Sequence, residues 1–95
     1  MLVFKEEALE EIRQAQLWYD VQKPGLGERF RQDLHESLTI VVENPPGYSI
    51  RRDPYRAVLL AKFPYVVWYA VEGPDIVVYR VRHGKQRPLR KFMDH

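Results

Sequence analysis

The sequence predicts an α+β domain in which an N-terminal helical hairpin packs on one face of a twisted antiparallel β-sheet. Three observations carry this expectation. Apolar residues recur at helical spacing through the first half of the chain, they alternate at strand spacing after Gly47, and breaks rich in Gly and Pro separate the runs. Helices first and strands after is the order of a segregated α+β fold. A chain of 95 residues has room for one core, so a single domain is expected over residues 1–95.

Leu2-Val3-Phe4 is a short apolar start that reads as an edge strand. From Glu6 the period becomes helical: Ala8, Ile12, Ala15 and Tyr19 fall on one face. Glu6 and Glu7 sit in the first turn, where negative charge suits the helix dipole. Lys23-Pro24-Gly25 ends this helix. Leu26, Phe30, Leu34, Leu38 and Val41 then mark a second helix, closed by Asn44-Pro45-Pro46-Gly47 because consecutive prolines cannot continue it. The short connection makes the two an antiparallel hairpin. After it, Tyr48–Arg52 reads as a short strand, and Tyr55–Phe63, Tyr65–Val71 and Ile76–Arg82 as longer ones rich in β-branched and aromatic residues. Glu72-Gly73-Pro74-Asp75 is a hairpin turn.

Composition removes several functions. There is no Cys, which excludes disulfides and Cys-ligated metal sites. No apolar run approaches the ~18 residues that span a bilayer, and the acidic start is unlike a signal peptide, so no membrane partner and a cytoplasmic location are expected. His35, His83 and His95 lie far apart, Gly25 and Gly27 lack the rest of a phosphate loop, and neither Ser37 nor Ser49 sits in a nucleophile elbow. No metal and no cofactor are expected. Glu6, Glu7, Glu10 and Glu11 read as a solvated helical face.

The charge is polarised along the chain. Residues 1–48 hold 5 Lys/Arg against 9 Asp/Glu, a net −4, and residues 49–95 hold 10 against 4, a net +6. This asymmetry suggests an anionic partner for the second half. The candidate binding residues are Arg51, Arg52, Tyr55, Arg56, Lys62, Arg80, Arg82, Lys85 and Arg87. Strict alternation puts Ile76, Val78, Arg80 and Arg82 on one face of the last strand, and Arg56, Val58, Leu60 and Lys62 on one face of the strand before the hairpin. The two arginines would then meet Arg56 or Lys62 in a concave basic surface whose repulsion an anion relieves. His83 follows at the strand end. It either transfers protons near neutral pH or packs at the rim and hydrogen-bonds a carbonyl. Most tyrosines read as core, Tyr65, Val67, Tyr69 and Val71 forming one packed face, whereas Tyr55 beside Pro54 reads as the exposed aromatic suited to stacking.

Taken in order, these pieces resemble the RelE/ParE family of toxins from type II toxin–antitoxin systems, also called plasmid-stabilisation proteins. The resemblance rests on Trp18-Tyr19, Pro24-Gly25-Leu26-Gly27-Glu28-Arg29-Phe30, Asn44-Pro45-Pro46-Gly47 and Tyr55-Arg56. It continues through Phe63-Pro64-Tyr65, Tyr69 and Val81-Arg82-His83-Gly84-Lys85-Gln86-Arg87-Pro88. It implies a helical hairpin on a twisted antiparallel sheet, and an antitoxin whose acidic C-terminal segment covers the basic surface. It also implies one of two actions. RelE-like members cut messenger RNA in the ribosomal A site, a reaction for which Arg56, Arg82 and Arg87, with Arg80, would supply cations and His83 an acid or base. ParE-like members poison DNA gyrase without cleavage. No Tyr follows Tyr79, where RNA-cleaving members carry a catalytic one near the C-terminus, and the dense Lys set of RelE is missing around residues 50–62. These departures point to the ParE side. A third reading is an interaction module without toxicity.

Overall fold

A computed structural model describes residues 1–44, 50–52 and 54–84, with backbone alone for 50–52. The elements are β1 (Leu2–Phe4), α1 (Glu6–Gln22), α2 (Leu26–Glu43), β2 (Ile50–Arg52), β3 (Tyr55–Leu59), β4 (Tyr65–Glu72) and β5 (Asp75–His83). Both helices and the hairpin at Gly73-Pro74 fall where the sequence places them. The sheet has five strands in the order β1-β5-β4-β3-β2. It is mixed rather than wholly antiparallel, because β1 runs parallel to β5 with Leu2 beside Ile76 and Phe4 beside Val78. Nothing in a three-residue apolar segment encodes the direction in which it pairs.

The core lies between the helices and the sheet. Phe30, Val41, Val67, Tyr69 and Val78 are fully buried, and Tyr19, Phe30, Phe63 and Tyr65 meet ring to ring with centroids 4.9–6.1 Å apart. Such pairs contribute about 0.5–1.5 kcal/mol each beyond the area they bury. The predicted face of Tyr65, Val67 and Tyr69 is therefore core, though Val71 at its end is exposed.

Two local devices set the helices against the rest. Gly25 holds φ at +89° to turn the chain into α2, and Gly27 packs so close to α1 that an added Cβ would lie 2.5 Å from the Gln16 carbonyl oxygen. The Gly27 N–H donates to Asp20 Oδ1 at 2.8 Å, so a carboxylate of α1 satisfies one of the orphan donors at the start of α2. Buried Asp33 on α2 accepts from the backbone N–H groups of Lys62 and Phe63 at 2.8 and 2.9 Å. The chain after Leu59 bends onto α2 to make these bonds, which is why β3 stops short of the predicted Phe63.

Candidate functional site

The geometry of β5 is decided by a bulge. Trp68 pairs with Arg80 but Tyr69 pairs with Val78, leaving Tyr79 as the extra residue. A bulge resets the alternation of side chains along its strand. Ile76 and Val78 face the helices before it, and Val81 and His83 face them after it, opposite Val67 and Tyr65. Arg80 and Arg82 fall opposite Trp68 and Val66, on the other face. Arg56 pairs with Tyr69 on the helix side, and Lys62 lies in the exposed turn after β3. The expected concave surface joining Arg80 and Arg82 to Arg56 or Lys62 is therefore not formed. The strict alternation used to predict it fails at Tyr79.

The two β5 arginines have an internal partner. β1 ends at Phe4, paired with Val78, so the outer edge of β5 is open beyond that point. Glu11 of α1 covers it. Its Oε1 accepts from Val81 N–H at 2.8 Å and from Arg80 Nε at 3.0 Å, its Oε2 accepts from Arg80 Nη2 at 2.5 Å, and Arg82 Nη1 lies 3.8 Å from the same oxygen. Glu11 was expected on a solvated helical face. It is instead part-buried and closes a contact 69 residues away in sequence. The sequence signal was its place one residue before Ile12, beside the apolar face of α1.

His83 packs edge-on against Tyr65, ring centroids 5.4 Å apart. The two line a cleft of about 480 Å³ with Glu11, Trp18 and Val81. Tyr55, expected to be exposed, is 7% exposed and meets the Tyr79 ring at 5.2 Å. The Tyr79 hydroxyl donates to Glu72, which pushes its pKa up to about 12, burial adding to the shift. Burial also raises the Tyr19 and Tyr65 phenols. The side chains of Arg51 and Arg52, and all of Lys85 and Arg87, lie outside the described residues. Among the described residues, no group of three or more His, Asp or Glu is arranged to hold a metal ion, and no helix is long and apolar enough to cross a membrane.

A second concave surface lies elsewhere among the described residues. A groove of about 650 Å³ runs between α1, α2 and β1, floored by Phe4, Ile12, Leu34 and Leu38 and rimmed by Leu9, Val42, Arg13 and Arg31. Leu9 is 52% and Val42 47% exposed. These rim residues stand beside the apolar stripes rather than within them, so periodicity alone passed over them.

A sheet of this order with a helical hairpin on one face defines a small α+β domain that offers an apolar groove and a charged strand edge. The chain belongs to the ParE toxin family of type II toxin–antitoxin systems (parDE), whose family model matches residues 2–88. Among solved structures it is similar to the chromosomal ParDE toxin–antitoxin system from P. aeruginosa, with 21% identity and a TM-score of 0.74 over 86% of this chain and 92% of that one. It is similar to the intact E. coli RelBE toxin–antitoxin complex, with 24% identity and a TM-score of 0.69 over 90% and 98%. It is also similar to the isolated E. coli RelE toxin, with 23% identity and a TM-score of 0.68 over 97% and 92%. No curated protein sequence matches it. The toxin role in a two-component system follows from the family.

Proposed function

We propose that this toxin arrests growth in the cytoplasm by binding a protein target, DNA gyrase, rather than by cutting RNA. The observation that carries the reading is that Arg80 and Arg82 are held by an internal carboxylate and turned away from Arg56. Cleaving a phosphodiester through the ribose 2′-OH requires several cations focused on one phosphorane, with an acid and a base in reach. Among the described residues the cations do not gather on one open face: Glu11 holds Arg80 and Arg82, and Arg56 pairs with Tyr69 on the opposite face. His83 packs on Tyr65 on the helix side, away from the face of Arg80 and Arg82.

The same reading assigns the antitoxin two footholds. An amphipathic segment lays its apolar side in the groove between α1 and α2. Its acidic C-terminal stretch pairs with basic candidates of the second half, Arg51, Arg52, Arg56, Lys62, Lys85 and Arg87.

Induced expression of the chain without antitoxin tests this, scoring growth, chromosomal breaks and transcript ends together. Arrest with DNA breaks and intact messages is expected. Codon-positioned cuts without breaks would replace the reading by ribosome-dependent mRNA cleavage, and normal growth would leave an interaction module.

A further inference from the structure

Four donor contacts converge on the Glu11 carboxylate, and all four come from three consecutive residues of β5: Nε and Nη2 of Arg80, the backbone N–H of Val81, and Nη1 of Arg82. Arg80 presents the planar fork that matches a two-oxygen acceptor. A backbone donor flanked by two guanidinium groups is a built oxyanion site, and the anion in it belongs to the chain itself. Glu11 does not satisfy the whole site. Arg82 Nη1 is 3.8 Å from Oε2, beyond hydrogen-bonding distance, and Arg82 Nε is buried without a hydrogen-bond partner among the described residues. The site also stays reachable, since the side chains of Glu11, Arg80 and Arg82 keep 16–21% of their exposure at a strand edge that β1 does not cover.

We infer that Arg80, Val81 N–H and Arg82 form a carboxylate site that Glu11 fills in the free chain and that an acidic side chain of a protein partner takes over. Glu11 is thus an autoinhibitory contact. Tethered to α1, it competes at high effective concentration and keeps stray anions out. A partner's carboxylate seated nearer Arg82 closes the 3.8 Å gap that Glu11 leaves to Nη1, which is the differential contact that drives exchange. The carboxylate class follows from Glu11 itself, whose two oxygens fit the Arg80 fork. That the partner is the antitoxin rests on the reading above; the site does not.

The test is Glu11→Ala titrated with acetate and followed by thermal unfolding. A ligand that binds the folded state raises Tm saturably. We expect a saturable rise in Glu11→Ala, no such rise in the wild-type chain, and loss of the rise in Glu11→Ala/Arg80→Met. Should Glu11→Ala not fold, Glu11→Gln carries the same titration, because a neutral amide competes less well with acetate while still accepting from Val81 N–H. A flat response of the variant to acetate overturns the site. Stronger stabilisation by inorganic phosphate than by acetate overturns its carboxylate class. Neither readout involves antitoxin, so failure of the antitoxin reading would leave this result standing.

Discussion

Tyr79 shows how one exposed carboxylate changes a titration. Glu72 accepts its hydroxyl proton, and the phenol holds that proton to about pH 12 instead of its ordinary value of 10.0. Between these values the folded chain binds more protons than the unfolded one, so stability falls as pH rises through that window and is unaffected below it. Tyr79→Phe removes this slope. Urea midpoints compared at about pH 9 and about pH 11 should show the wild-type chain losing more stability than Tyr79→Phe. Tyr19 and Tyr65, raised by burial, act alike in both chains and cancel in the difference. Equal losses would mean that the Glu72 contact does not hold the proton. Asp33 is a second residue whose role is set by position. It sits three residues after Phe30, within the buried stripe of α2, and its acceptor atom fixes the turn that delivers Phe63 to the aromatic core.

At the scale of elements, the junction of α1 and α2 depends on Gly27. A glycine inside a helix ordinarily costs stability, and Gly→Ala recovers about 0.5–1 kcal/mol. Here the sign reverses, because the new Cβ would meet the Gln16 carbonyl at 2.5 Å and the Asp20 carboxylate at 2.7 Å. Gly27→Ala should destabilise by about 1–3 kcal/mol, a fall in Tm on the order of 5–15 °C in a domain this size, measured by thermal unfolding. An unchanged or higher Tm would contradict that packing. The helices were legible because Ala8, Ile12, Ala15 and Tyr19, and then Phe30, Leu34, Leu38 and Val41, carry a local period that their burial requires. The strands of the final hairpin were legible from alternation and from Gly73-Pro74 between them. The parallel pairing of β1, the end of β3 and the bulge at Tyr79 were not, since each is settled by a partner far away in sequence: β5, Asp33 and β4. The candidate site inherited the last of these. One extra residue turned Arg80 and Arg82 from Arg56, and Glu11, 69 residues before Arg80, took the place given to an outside anion.

At the scale of the molecule, charge polarity is partly an internal affair. The acidic first half supplies Glu11 to the basic second half, so the formal asymmetry overstates what a partner meets at β5. The apolar groove between the helices is the other feature a partner meets, and it is the antitoxin foothold proposed above. Val42 at its rim is half-exposed, so a charge there leaves the core intact while placing an unpaired carboxylate against an apolar partner. The most direct measurement is growth of cells expressing Val42→Glu or the wild-type chain, each with and without the antitoxin that silences the wild type. Both chains should arrest growth alone, and antitoxin should rescue only the wild type. Full rescue of Val42→Glu would contradict that foothold.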